Sequence, residues 1–158
     1  MVRVLFVCLG NICRSPTAHG VFDGLVQKKS LQSAIEVDSA GTGDWHLGEE
    51  PDKRSQVAAA VRGYDLSYLR ARQVSAEDFR QFDYILAMDK KNLADLQSMR
   101  PGASKAVVEL FLSFSDSGNI EEVPDPYYGE EGGFEQVLDL VESAATGLLQ
   151  SIQTKHKL

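Results

Sequence analysis

Residues 2–7, VRVLFV, are apolar but for Arg3 and rich in β-branched side chains. A run this short cannot make a helix, and it fits a strand buried on both faces. IEVDSAG (35–41) predicts a second strand running into a Gly loop, and DYILAM (83–88) and KAVVEL (105–110) predict two more. Helical signals fall between them. Ser15 as N-cap with Pro16 at the first helical position predicts a helix to about Lys29. A second helix is expected to open at Pro51 and stop at Gly63, and a third to start at Ser75, where Asp78 completes a capping box. Residues 89–99 also read as helical, and Phe134, Val137, Leu138, Val141, Ala145, Leu148 and Ile152 share one face of a long C-terminal helix. Strands alternating with helices imply right-handed crossovers, hence an α/β fold with about four parallel strands and helices on both faces, flavodoxin-like or Rossmann-like. The 158 residues, with no repeat or linker, are expected to form one domain over 1–158.

Composition narrows the function. A net charge of −7 and a pI near 4.9 provide no basic surface for nucleic acid, so any phosphate site must be local. Two cysteines are too few for a disulfide framework, and the chain shows neither a signal peptide nor a long apolar run. A cytoplasmic protein without membrane contact is expected, with a monomer as the default. His19, His46 and His156 are scattered, so neither a metal nor another cofactor is expected.

The loop between the first strand and the first helix, CLGNICRSP (8–16), carries the chemistry. In a parallel sheet the ligand crevice lies outside the carboxyl ends of the strands, where this loop begins. Gly10 and Asn11 tolerate a left-handed backbone, which lets N–H groups converge on an anion together with the positive helix end. Cys8 at the base of such a cradle, near the Ser15 hydroxyl, is favoured as a thiolate nucleophile. Arg14 brings a planar fork that grips two oxygens of a phosphoryl group. Either residue alone would read as a buried thiol or a solvated loop arginine; the full string points to phosphoryl chemistry.

This Cys-x5-Arg-Ser loop resembles the signature of the low-molecular-weight protein tyrosine phosphatases, and DSAGTGDW (38–45), ARQ (71–73), MDKKNL (88–93) and PDPYYG (124–129) resemble further family segments in the same order. The resemblance spans nearly the whole chain. It implies hydrolysis of phosphotyrosine in a protein, or of a small aryl phosphate, through a cysteinyl-phosphate intermediate. Cys8 would be the nucleophile, Arg14 the clamp and Asp125 the general acid and then base; by spacing alone, Asp125-Pro126 reads first as a turn start, and only the resemblance lifts Asp125 above that. Loop residues Leu9 to Cys13 and Ser15 would bind phosphate, while Ile12, Trp45, Tyr127 and Tyr128 would wall the ring, although the two tyrosines also suit packing. Cys13 is either a packing residue or, as the resemblance favours, a redox partner that bonds to oxidised Cys8. The chain departs from the pattern at Leu69, where many relatives carry a histidine that helps hold the loop asparagine through serines. It departs again at His19-Gly20, where Glu-Ala or Glu-Gly is common. Ser15 and Ser39 are then the expected supports of Asn11.

Three alternatives share these residues. Phosphoarginine phosphatases resemble the chain less at Ile12, where they tend to carry Thr, and at the tyrosine pair. Thioredoxin-linked arsenate reductases need a later cysteine pair, and no cysteine follows Cys13. A non-catalytic phosphotyrosine-binding module would not require Cys8, Arg14 and Asp125 together.

Overall fold

A computed structural model describes residues 1–158 apart from 117, 128, 130 and 131. Four strands, β1 (Val2–Cys8), β2 (Ile35–Gly41), β3 (Tyr84–Ala87) and β4 (Val107–Leu110), pair in parallel in the order β2-β1-β3-β4. The helices are α1 (Arg14–Lys28), α2 (Lys53–Val61), α3 (Asp78–Gln81), α4 (Lys90–Met99) and α5 (Gly133–His156), with a 3-10 turn at Phe111–Phe114. Val4, Phe6 and Cys8 of β1 join one apolar cluster with α1 and α5, whereas Leu5 and Val7 join another with Phe79 and with Leu96 of α4. Successive side chains of a strand point to opposite faces, so a strand covered on both must be apolar throughout. The pattern at 2–7 reflects that position.

Chain order reverses between β1 and β3, because β1 pairs with β2 on one edge and β3 on the other. The carboxyl ends of β1 and β3 therefore flank the crevice expected at such a switch point. Cys8 ends β1, and Asp89, just after β3, caps α4 by accepting from the Asn92 N–H at 2.7 Å.

Several element starts differ from expectation. Helix α1 begins at Arg14, after Cys13, and has no side-chain cap. Ser15 lies inside its first turn because its hydroxyl is engaged by the loop instead. Helix α2 opens at Lys53 with Asp52 as its cap, the carboxylate accepting from the Arg54 N–H, two residues beyond the expected start at Pro51. The third helix has only four helical residues; Asp78 does accept from the Ser75 N–H at 2.8 Å, but the same carboxylate also binds Arg72. Among the described residues, no helix is long and apolar enough to cross a membrane.

Candidate active site

The loop after β1 is held by its carbonyls. Cys8 O accepts from the Thr42 N–H and Leu9 O from the Gly43 N–H, both at 2.9 Å, and Ile12 O accepts from the Asp52 N–H at 2.8 Å. Cys13 O accepts from the Thr17 hydroxyl at 2.7 Å. A trans peptide sets each N–H antiparallel to the preceding carbonyl. The amides of Leu9, Gly10, Cys13 and Arg14 thus face away from the framework, toward the cleft, as a concave set of donors. Gly41 permits the close approach, since a Cβ there would come within 2.7 Å of Leu9 O. Of the two residues that tolerate a left-handed backbone, Asn11 adopts it, at φ 58°, and Gly10 does not. Gly10 instead lies beneath the His46 ring, where a Cβ would come within 3.0 Å of Cδ2.

Asn11 is fixed from three sides. Its N–H donates to Cys8 Sγ at 3.2 Å, its Nδ2 to Ser15 Oγ at 2.8 Å, and its Oδ1 accepts from the Arg72 N–H at 3.0 Å. Ser15 Oγ lies 3.0 Å from Cys8 Sγ and donates to Ala40 O at 3.3 Å. The Arg72 guanidinium is itself anchored by two bonds to buried Asp78, at 3.1 and 3.0 Å, and by Asp38 at 3.2 Å. Burial disfavours its charge, but these carboxylates outweigh that and raise its pKa.

Leu69 takes no part in this network and packs in the apolar core, and Asn11 finds its three partners without it. Ser39 does not touch Asn11 either. Its hydroxyl lies 3.0 Å from Nδ1 of buried His19, which accounts for the histidine in α1. Burial lowers the His19 pKa, against the opposing pull of Asp38 and Asp23.

Arg14 is 3% exposed, its Nη1 bonded to Asp89 at 2.6 Å and to Val123 O at 3.1 Å. Its other terminal nitrogen lies 3.8 Å from Asp125 Oδ2. Burial opposes the guanidinium charge, yet Cys8, Asp89 and Asp125 together push its pKa further up. Asp125 Oδ1 accepts from the Tyr127 N–H at 3.0 Å in a short turn. Cys13 behaves oppositely to a reactive thiol: burial, with Asp52 nearby, pushes it up to about 12.

These residues enclose a cleft of about 430 Å³, with Cys8 at its buried base and Leu9, Ile12, Trp45, His46 and Tyr127 around it. Trp45 is 67% exposed and serves as rim rather than core. Tyr128 lies outside the described residues. The structure thus brings residues 8–14 other than Asn11, together with Trp45, Asp125 and Tyr127, to one cleft, while Asn11 and Ser15 lie against Cys8 Sγ and Ser39 lies against His19 instead. Sequence reasoning missed Asp89, Arg72 and His46. Asp89 was accessible in principle, as the cap residue following the strand that neighbours β1. Among the described residues, no group of three His, Cys, Asp or Glu side chains is placed to hold a metal ion.

The same architecture and segments recur in known proteins. The chain is 42% identical over 158 residues to the low molecular weight protein-tyrosine-phosphatase YfkJ of Bacillus subtilis, covering all of both chains. A crystal structure of a protein tyrosine phosphatase from Entamoeba histolytica superposes with a TM-score of 0.93 at 39% identity, again over the whole of both chains. The structure of a Drosophila arginine phosphatase gives a TM-score of 0.90 at 35% identity, over 97% of this chain and 98% of that one. The family profile described as low molecular weight phosphotyrosine protein phosphatase matches residues 3–158. With a match of that extent laid over a Cys-x5-Arg loop at the sheet's switch point, the chain belongs to the low molecular weight phosphotyrosine protein phosphatase family.

Proposed function

We propose that residues 1–158 act as one protein tyrosine phosphatase domain that works without a metal, with Cys8 as nucleophile, Arg14 as phosphate clamp and Asp125 as general acid and base. The observation that carries this reading is that Cys8 Sγ, the Arg14 guanidinium and the Asp125 carboxylate face one cleft, with Arg14 and Asp125 3.8 Å apart. The Asn11 amide donates to the sulfur, and the Ser15 hydroxyl lies 3.0 Å from it, where its single proton, turned from Ala40 O, would support a thiolate. Sulfur attacks phosphorus and the S–P bond forms as the P–O bond to the aryl oxygen breaks; the Asp125 proton goes to that oxygen, releasing a phenol. Asp125, now a carboxylate, takes a proton from water as the water oxygen bonds to phosphorus and the S–P bond breaks. Phosphate leaves and the thiolate is restored. Arg14 and the loop amides bind the three other phosphoryl oxygens through both steps.

The cleft also selects by depth. Cys8 lies at its base beneath the rim residues Leu9 and Trp45, so a phosphoryl group must be carried inward on a long arm. An aryl ring supplies that reach and packs against Ile12, Trp45 and Tyr127, whereas a phosphoserine side chain falls short. Two free cysteines suit a reducing compartment, which supports a cytoplasmic protein. The test is hydrolysis of phosphotyrosine, phosphoserine and phosphoarginine peptides in the presence of EDTA by the wild type, Cys8→Ser and Arg14→Ala. Activity on phosphotyrosine in the wild type alone supports the reading. Preference for phosphoarginine, loss on chelation or turnover by Cys8→Ser overturns it.

A further inference from the structure

Arg54, in the first turn of α2, reaches none of the atoms assigned to chemistry, yet it stands where three segments of the site meet. Its Nε and one terminal nitrogen grip both oxygens of Asp52 at 3.0 and 2.8 Å. The Asp52 N–H in turn holds the phosphate loop through Ile12 O. The guanidinium carbon lies 5.3 Å from the centre of the Tyr127 ring and 4.8 Å from that of Phe134, in the first turn of α5. Tyr127 is two residues from Asp125, and its N–H binds the Asp125 carboxylate. One side chain therefore ties the framework of the phosphate loop to the segment that carries the proton donor.

We propose that Arg54 is a positioning residue that sets Asp125 over the leaving oxygen by holding Tyr127. The proposal rests on the assignment of Asp125 as general acid. Only a planar guanidinium presents two faces to aromatic rings while its edge binds a carboxylate bidentately. The ammonium of a lysine is a point charge and cannot hold three partners in this geometry. Arg54→Lys therefore keeps the charge and loses the positioning, which separates geometry from electrostatics.

The experiment measures kcat/KM for a series of aryl phosphates, from phenyl phosphate, whose leaving oxygen needs a proton, to 2,4-dinitrophenyl phosphate, whose oxygen does not. Wild type, Arg54→Ala, Arg54→Lys and Asp125→Ala are compared, together with Arg54→Ala in the Asp125→Ala background. Both Arg54 variants should lose about tenfold on phenyl phosphate, as expected for two lost cation–π contacts, and far less on the dinitrophenyl ester. Vanadate inhibition should stay near wild type, since the Asp52 N–H that holds the phosphate loop is a backbone group. In the Asp125→Ala background the Arg54 change should add nothing to the leaving-group dependence. Equal losses on both esters, rescue by lysine or an undiminished effect without Asp125 would overturn the proposal. If Asp125→Ala itself leaves the leaving-group dependence unchanged, the acid assignment falls and this proposal with it. A change in Asp125→Ala that is absent from both Arg54 variants removes only the role of Arg54.

Discussion

His19 lies one helical turn beyond Ser15 on the buried side of α1, and the two residues meet adjacent positions of β2. Ser15 Oγ reaches Ala40 O, and His19 Nδ1 lies against Ser39 Oγ. Replacing His19 with Phe keeps a ring of similar size, including its edge-on contact with Tyr68 at 6.4 Å, and removes the nitrogen. The Ser39 hydroxyl, on a residue 5% exposed, is then left without that bond. Stranding a buried hydroxyl costs about 1–3 kcal/mol. For a chain of this length that corresponds to a fall in Tm of roughly 3–10 °C. The effect should depend on pH with a definite sign. Burial places the His19 pKa below its ordinary 6.5, so between that lowered value and 6.5 the unfolded chain binds a proton that the folded chain does not. Wild-type stability therefore falls as pH drops through this window, and levels off below the folded-state pKa. His19→Phe should lack this component. Urea unfolding of both proteins from pH 5 to pH 8 measures it, with Ser39→Ala as the partner deletion whose cost should not add to that of His19→Phe. Equal stability at pH 7 together with identical pH profiles would refute the reasoning.

Four further outcomes can be checked separately. Gly147 of α5 faces the Phe114 carbonyl, which a Cβ would overlap; despite alanine's better helix propensity, Gly147→Ala should destabilise by about 1–3 kcal/mol in urea titration. Leu69→His should lower Tm without raising kcat/KM, because an imidazole would enter apolar core and Asn11 already has three partners. The Cys13 thiol stays protonated up to about 12, so iodoacetamide at pH 7 should label Cys8 and spare Cys13 by peptide mass spectrometry. After brief peroxide treatment, dithiothreitol should restore the wild type but not Cys13→Ser; equal recovery assigns Cys13 to packing.

The elements were readable where burial imposes a period. The run at 2–7 is apolar because β1 is covered on both faces, and the spacing from Phe134 marks the one face that α5 buries. Boundaries failed where a side chain has a stronger local partner. Ser15 has the features of a cap, but Cys8 Sγ and Asn11 engage its hydroxyl, so α1 begins uncapped. The chemistry of the phosphate loop was legible because nucleophile, amides and clamp are contiguous in the chain. Its supports were not, since Arg72 and Asp89 come from segments 61 and 75 residues away in sequence from Asn11 and Arg14. Their contact depends on the strand order, which a one-dimensional pattern does not contain. The histidine at 19 could be marked only as a departure until β2 placed Ser39 beside it.

The covalent intermediate is the central claim, and it is directly observable. Wild-type enzyme mixed with excess 2,4-dinitrophenyl phosphate is quenched in acid within milliseconds and digested, and its peptides are weighed; Asp125→Ala, whose intermediate should hydrolyse slowly, is treated in the same way. The peptide carrying Cys8 should gain the mass of one phosphoryl group on sulfur, to a greater extent in Asp125→Ala, and the adduct should be absent from Cys8→Ser. An unmodified Cys8 peptide in both proteins during steady turnover, or a phosphoryl group on any other residue, would contradict the account.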